Sequence, residues 1–452
     1  MKKAKIITIL IIMLSGLVAC QSPEPDLTPK VQSQGEIVCF DSETIAGWSW
    51  HQRPLAVHFA GQEDKTYFGT IAADGRVQVR SYDHNTGETV TTTVAIIDAS
   101  EGGGDDHNSP SLLVRSSDAR VMVFWTGHFG QTISYAISEN PEDISSFGEI
   151  KTLENPAENY SYTQPVELTK ENKIYLFTRR QQDASGVRAW DINVSTDNGE
   201  TFTREENPLW YQDDVNSPYA EIYSNGVDTI HFLRSDWMKD EYSFVRKYLT
   251  YCYYRDGAFY KANGEKIVDY EDLPITDRGE LDMIVDSKPW SDYVFSKDIA
   301  EDENGYPVCV YTTMDKKEVC EYWYARWNGE EWMTTKIVTA GKDIANIKTQ
   351  PAYDGGIVLN YANVNEVYLS REITLDSKQF EIEKWVTKDD GLTWELYEKI
   401  TEPYDDLETL QIRPIVPLNA HPELDVLWVA GPKYVNYNRF ETYLFGRFLD
   451  IE

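Results

Sequence analysis

The sequence predicts an all-β protein, a seven-bladed β-propeller, and three observations carry that prediction. Helical periodicity is almost absent along the 452 residues, and short alternating or continuous apolar runs take its place. Turn signals punctuate those runs: Asp74-Gly75, Thr86-Gly87, Asp256-Gly257, Asn328-Gly329 and Asp390-Gly391. A motif also recurs: the segments from Ser195 to Phe202 and from Thr387 to Trp394 both read Ser/Thr-x-Asp-x-Gly-x-Thr-aromatic, the Asp-box pattern, with shortened versions around Gly257 and Gly329. In that pattern Asp and Gly shape a tight turn and the aromatic packs behind it, so no catalysis is read into its aspartates.

In chain order, the first segment is not fold. Met1-Lys2-Lys3-Ala4-Lys5, an apolar run from Ile6 to Leu17, and Leu17-Val18-Ala19-Cys20 form a basic region, a short apolar core and a small-residue cleavage site ending in cysteine. The run is too short to span a bilayer. The expectation is a lipoprotein signal peptide over 1–19, lipidation of Cys20, and a flexible Pro/Ser/Gln-rich tether over 20–35. Membrane contact then runs only through the lipid, and the expected location is the bacterial cell envelope, at the outer membrane or cell surface.

Residues 36–452 are expected to form one catalytic domain. Predicted strands include Thr66–Ile71, Val77–Tyr82, Ser111–Val114, Val121–Trp125, Ile174–Thr178, Ile230–Leu233, Tyr248–Tyr254, Pro307–Thr312, Glu321–Trp327, Ile357–Tyr361, Glu366–Leu369 and Val426–Val429. Units start near Gln52, His107, Tyr162, Ser217, Trp290, Ile347 and Leu407, giving seven units of roughly four strands. A pair of β-sandwiches is the structural rival, and it leaves the regular spacing unexplained.

The net charge is −33, and cleavage after Ala19 removes three lysines to leave −36. Such a chain is repelled by nucleic acid and anionic membrane surfaces. An anionic substrate would therefore need a local basic pocket, and a monomer is expected. Four cysteines remain: Cys39, Cys252, Cys309 and Cys320. Cys252, Cys309 and Cys320, with His231, are candidates for a structural zinc site, and buried free thiols are the alternative reading. Calcium is the other candidate structural ion; the chemistry itself requires no cofactor.

Chemistry concentrates in two successive units. The chain has seven histidines, and two of them frame one predicted hairpin: Asp105-Asp106-His107-Asn108-Ser109-Pro110 before the first strand, Gly127-His128 after the second. Antiparallel pairing puts both at one end, as an acid/base couple. Aligning the next unit sets Tyr162 and Arg179 in matching positions. Two imidazoles, a phenol and a guanidinium suit proton abstraction α to a carboxylate, and the set lacks the carboxylate pair of a glycosidase. In that reading Arg179 binds a uronate carboxylate, and His107 removes the C5 proton while Tyr162 protonates the glycosidic oxygen, or the two exchange roles. His128 binds the carboxylate or fixes the tautomer of His107. Arg180 and Asn108 complete the substrate-binding set, and Asp105 or Asp106 could orient His107.

The segments Trp48-Ser49-Trp50-His51-Gln52-Arg53-Pro54, Ser81-Tyr82-Asp83-His84-Asn85-Thr86-Gly87, Asp105–Leu112, Tyr162-Thr163-Gln164-Pro165, Tyr175–Arg179, Ser217-Pro218-Tyr219-Ala220 and Tyr324–Gly329 resemble the BNR-4-repeat proteins. That group includes seven-bladed propeller ulvan lyases. The resemblance implies β-elimination on a sulfated rhamnose–uronic acid polymer by His107, His128, Tyr162 and Arg179, with His84 structural. Leu55 and Ser217 depart from it, standing where arginines are expected. A sialidase-like glycoside hydrolase and a non-catalytic glycan-binding surface protein are the rival functions.

Overall fold

The computed structural model describes residues 35–154, 158–183, 186–212, 216–239, 244–286, 293–314, 318–345, 353–402 and 409–449. The expected signal peptide, Cys20 and all of the expected tether before residue 35 lie outside the described residues, as do the predicted unit starts Trp290, Ile347 and Leu407. Among the described residues the chain is all-β, its helical content confined to three-residue 3-10 turns. No described helix is long and apolar enough to cross a membrane.

The strands run as consecutive antiparallel meanders. The first sheet pairs Ala46–Gly47 and Ala56–Ala60 with Asp64–Ala72, then adds Arg76–Asp83 and Thr89–Ile96. The second runs Ser111–Val114, Val121–Thr126, Thr132–Asn140 and Asp143–Phe147; the third runs Asn159–Leu168, Lys173–Gln182, Ala189–Ser195 and Thr203–Arg204. A fourth begins at Asn216–Ser224 and a fifth at Tyr293–Glu301. The remaining sheet has eight strands: one group from Ile357–Leu359 to Glu395–Lys399, another of Leu410–Ile415, Leu424–Asn436 and Arg439–Phe448, joined by one parallel pair, Phe380 with Leu410. The N-terminal strand Glu36–Asp41 pairs antiparallel with the last strand.

The core explains why this order is stable. Each sheet is apolar on both faces, and the described apolar residues fall into clusters that straddle successive sheets. Ile71, Val79, Leu112 and Val123 join the first sheet to the second; Phe124, Tyr135, Ile174 and Phe202 join the second to the third. Trp190, Trp210, Phe232 and Phe259 continue the series, and Trp48, Phe68, Ile412 and Leu444 bring the last strands back onto the first sheet. Burial on both faces is why the strands read as continuous apolar runs rather than clean alternations.

The Asp-box turns fasten these sheets. Asp197 accepts hydrogen bonds from Ser195 Oγ at 2.8 Å, Thr201 N at 2.9 Å and Thr201 Oγ1 at 2.6 Å. Gly199, at φ +82°, donates its N–H to Ser195 Oγ and fits a conformation that side chains disfavour. Phe202 then packs on Phe124 and Tyr135 of the preceding sheet. Asp389 repeats the pattern with Thr387 and Thr393, and Trp394 packs on Tyr324. The expected structural role of both motifs matches this geometry.

Cys252, Cys309 and Cys320 correct the zinc expectation. They are buried free thiols in three different intersheet clusters, and burial pushes Cys252 and Cys309 well above the usual thiol range. His231 is engaged elsewhere, with Tyr251 Oη at 2.7 Å and Glu301 Oε2 at 3.0 Å. Among the described residues, no cluster of candidate ligands contains a cysteine. Strand register gave each thiol to a separate interface.

Candidate active site

A short 3-10 turn, Asp106–Asn108, positions the first histidine. Asp105 caps the turn, accepting the His107 N–H at 2.9 Å. The following strand pairs Ser111 with Phe124, so the chain leaving Val121–Thr126 returns beside the turn. Gly127 is needed there, because a Cβ would sit 2.7 Å from the Glu101 carbonyl oxygen. Asn108 completes the junction: its Oδ1 accepts the His128 N–H at 2.5 Å and its Nδ2 donates to Gly103 O at 2.9 Å.

The two imidazoles stack with centroids 4.2 Å apart and planes 3° from parallel. His107 Nδ1 lies 2.7 Å from Asp105 Oδ1, and His128 Nδ1 lies 2.9 Å from Asp105 Oδ2. One carboxylate therefore holds both Nδ1 atoms, and both Nε2 edges face away from it on the same side. His107 Nδ1 is also 3.0 Å from Asp106 Oδ1. Tyr437 meets both rings edge-on, at 5.0 and 5.5 Å.

The charges of the pair differ. Burial opposes a charge on His107, but Asp105 and Asp106 outweigh it and lift the imidazole to about 10. Burial and the neighbouring His107 charge hold His128 below the usual histidine value, despite its bond to Asp105. Asp105 sits well below the carboxylate range: the two histidines outweigh its burial. At neutral pH the arrangement is one imidazolium, one neutral imidazole and one carboxylate.

Tyr162 stands beside the pair. It occupies a bulge in Asn159–Leu168 with φ +62°, an uncommon backbone for a side-chain-bearing residue and a frequent feature of functional sites. Its ring lies 5.6 Å from that of His107 and 5.0 Å from that of His51. Gln52 ties the bulge to the histidine turn, donating to His107 O at 2.6 Å and accepting the Thr163 N–H at 2.8 Å.

Arg179 lies further round, over the Tyr219 ring at 4.0 Å, with Tyr219 6.0 Å from Tyr162. It donates to Pro218 O at 3.1 Å, Ser217 Oγ at 2.8 Å and Gln181 Oε1. These acceptors are neutral, and among the described residues no carboxylate pairs with it. Arg188 is close enough that the Arg179 charge, after burial, lowers its affinity for a proton; its guanidinium lies over Trp237 at 4.8 Å. A locus of positive charge thus exists in a chain of net −33.

Arg180 is not part of that locus. Consecutive strand residues face opposite sides, and Arg180 pairs with Asp191 at 2.9 Å and Glu158 at 3.2 Å. Both terminal nitrogens of its guanidinium are thereby engaged by carboxylates. Asn108 is fully buried and serves the loop rather than an open surface.

Sequence reasoning singled out His107, His128, Tyr162 and Arg179, and the structure brings the first three into contact and links Arg179 through Tyr219. It missed Tyr219, Arg188, Gln52 and Tyr437. Tyr219 and Gln52 lie in the quoted segments Ser217-Pro218-Tyr219-Ala220 and Trp48–Pro54, although neither was given a role; Arg188 and Tyr437 carry no local motif. His84 is joined to His421 on the far side of the first sheet and does not enter this site.

Residues 65–340 match the model of a family described as BNR repeat-containing family members. Among solved structures, one titled polysaccharide lyase Uly1 aligns with a TM-score of 0.56 at 13% identity, covering 93% of this chain and 100% of that one. A Hadza microbial sialidase, Hz136, aligns at 0.40 and 11% identity, covering 79% and 65%. An α-L-arabinanase of Penicillium chrysogenum, complexed with arabinobiose, aligns at 0.39 and 11%, covering 89% and 96%. Among curated protein sequences none matches the chain.

Proposed function

The chain belongs to the BNR repeat-containing family, and from that premise we propose that it is a polysaccharide lyase, cleaving a uronate-containing sulfated polysaccharide such as ulvan by β-elimination. The observation that carries the reading is the stacked His107–His128 pair on the single carboxylate of Asp105. It supplies a neutral base and a fixed cation side by side, next to a phenol.

In this mechanism Arg179 and the His107 imidazolium neutralise the uronate carboxylate, which acidifies the C5 proton. His128 donates Nδ1–H to Asp105, so its Nε2 lone pair takes that proton. The C5–H electrons form the C4–C5 double bond, the C4–O bond breaks, and Tyr162 protonates the departing oxygen. This exchanges the base assignment expected from sequence: an imidazole lifted to about 10 is already protonated at neutral pH, whereas its partner is not. Arg188 extends the cationic locus toward sulfate or carboxylate groups.

The hydrolase reading fares worse on the same residues. Asp105 is locked as an anion between two imidazoles, and Asp106 accepts from Arg413 and Tyr434. Burial pushes Glu221 up to about 8, but it is fully enclosed, with His51 Nδ1 at 2.8 Å and Arg53 Nε at 2.8 Å. None is placed as a general acid for a glycosidic oxygen.

The finer architecture belongs to the same proposal. Dividing the eight-stranded sheet at its one parallel pair gives seven blades, the last completed by the N-terminal strand, with the site at one mouth of the ring. The enzyme would act as a monomer, held at the outer membrane or cell surface by lipid on Cys20.

The test is ultraviolet absorbance of the unsaturated uronyl product on incubation with ulvan, alginate, pectate and heparinoids. An increase with ulvan that is lost in His128→Ala and Arg179→Ala is expected. Reducing ends without absorbance would overturn the lyase in favour of a hydrolase, and binding without either would leave a glycan-binding protein.

A further inference from the structure

Three of the seven histidines, His58, His84 and His421, gather on the opposite side of the first sheet, at the seam where the last strands return to it. The seam is made by the turn ahead of Leu424–Asn436. Leu418 exchanges backbone hydrogen bonds with Ala56 and His58, at 3.0 and 2.8 Å. His421 and Glu423 lie on that turn, whereas His84 follows strand Arg76–Asp83 of the first sheet. The cluster therefore spans the first and last parts of the chain.

Its hydrogen bonding is that of a ligand set with its outer partners already in place. His84 Nε2 lies 2.8 Å from Thr66 Oγ1, and His84 Nδ1 lies 2.7 Å from Glu423 Oε2. His421 Nδ1 accepts the Glu423 N–H at 3.2 Å, a bond that a metal ion on that nitrogen would replace, and it is 3.9 Å from Glu423 Oε2. The His421 Nε2 edge faces Asp64 Oδ2 at 3.7 Å. His84, His421 and Glu423 each offer a ligand atom within 4.8 Å of the others, and the two rings stack at 3.9 Å.

Outside this set, His58 reports the same polarity. Its Nδ1 must donate to the Asn419 carbonyl, 2.7 Å away, because a carbonyl only accepts. Its Nε2 then stands 2.6 Å from Asp64 Oδ1, so the two share one hydrogen bond. Asp64 thus pairs with His58 and faces His421, the carboxylate–histidine relay that orients metal-bound imidazoles.

We propose that His84, His421 and Glu423 bind a divalent transition-metal cation of the zinc class, with Thr66 and Asp64 as outer partners, and that the ion ties the last strands to the first sheet. Two imidazoles and a carboxylate suit zinc, nickel or cobalt, and water completes the coordination. The inference stands apart from the lyase reading, because it uses none of the residues of that site.

The experiment is titration of the EDTA-treated full chain with ZnCl2 by calorimetry, with Co2+ as a spectroscopic probe and thermal unfolding alongside. Binding of a single equivalent, a ligand-field band with Co2+ and a raised midpoint of unfolding are expected. His421→Ala and Glu423→Gln should weaken binding by more than about tenfold and abolish the midpoint shift, while their circular dichroism stays native. His128→Ala should bind as the parent does. Absence of binding by the parent overturns the proposal. So does binding that survives in His421→Ala and Glu423→Gln but disappears in His128→Ala, which would place the ion between Asp105, His107 and His128 instead.

Discussion

The molecule contains two stacked histidine pairs, and the difference between them is instructive. His107 and His128 stack at 4.2 Å and 3°, with one carboxylate, Asp105, bonded to both. His84 and His421 stack at 3.9 Å and 26°, with Glu423 close to one ring and Asp64 behind the other. Asp105 holds both rings but Asp106 reaches only His107, so the first pair is unequal: one ring is charged, its neighbour is neutral, and both Nε2 edges point one way. In the second pair both Nδ1 atoms turn toward one Glu423 oxygen, the arrangement we propose holds a cation. A cation sharpens the contrast: both pairs have a tyrosine edge-on to a ring, Tyr437 on His107 and Tyr82 on His84, but Arg179 stands near the first, linked through Tyr219 and Tyr162. Acid/base chemistry thus requires asymmetry within a pair, not merely two imidazoles in contact.

The largest expected effect tests that asymmetry. His128→Ala removes the neutral base and should reduce turnover of a uronate polymer by about 10²–10⁴-fold, read as the initial rate of ultraviolet absorbance. A comparable loss in His421→Ala would break the distinction between the pairs. Tyr162→Phe should cause a loss of the same order on natural substrate and a smaller one on a substrate whose leaving group needs no proton.

Asp105→Asn should act next most strongly, because it removes the carboxylate that holds both rings. Without the carboxylate, His107 loses the larger of the two charges that lift it to about 10 and keeps only Asp106. The high-pH limb of the rate profile should move to lower pH, with a fall in the maximal rate of about tenfold or more. A pH profile identical to that of the parent would refute the role assigned to the shared carboxylate.

The same group sets a pH dependence of stability. His107 is held above its ordinary 6.5 in the folded chain, so the folded state binds the extra proton between pH 6.5 and about 10. Its contribution is complete below 6.5 and declines as pH rises through that window. Denaturant midpoints should therefore fall from pH 6.5 toward 10, and the slope should flatten in Asp105→Asn. An equal slope in parent and variant would assign the effect to other groups.

How much of this could be read from sequence depends on the range of the interaction. The hairpin from Ser111 to Thr126 and the flanking His107 and His128 were legible, because antiparallel register brings its two ends together by local rules. Tyr162 and Arg179 were legible by matching consecutive units, although the backbone bulge that turns Tyr162 toward His107 has no sequence signature. The different charges of His107 and His128 were not legible. They depend on Asp106 reaching His107 Nδ1 at 3.0 Å as a second carboxylate, and on the His107 charge acting on the buried His128, neither of which the spacing of the residues reveals. Arg180 illustrates the limit: beside Arg179 in sequence, it faces the other side of the strand and pairs with Asp191 and Glu158. The cysteines failed for a related reason, since three strands that resemble one another in pattern line three different interfaces.

The smallest expected effect lies in the Asp-box turns and serves as the reference for all the others. Asp197 accepts three hydrogen bonds within one turn, and that turn presses Phe202 onto Phe124 and Tyr135. The carboxylate is largely solvated, so its removal exchanges those bonds for water rather than stranding buried donors. Asp197→Ala should therefore cost about 1 kcal/mol in equilibrium unfolding and leave the rate of uronate cleavage at the parental value. Phe202→Ala, by contrast, opens a cavity between two sheets and should cost about 3 kcal/mol or more. If the aspartate proved the costlier loss, or if its removal slowed turnover, the turn would be more than a fastening, and carboxylates outside the His107–His128 pair would have to be admitted to the chemistry.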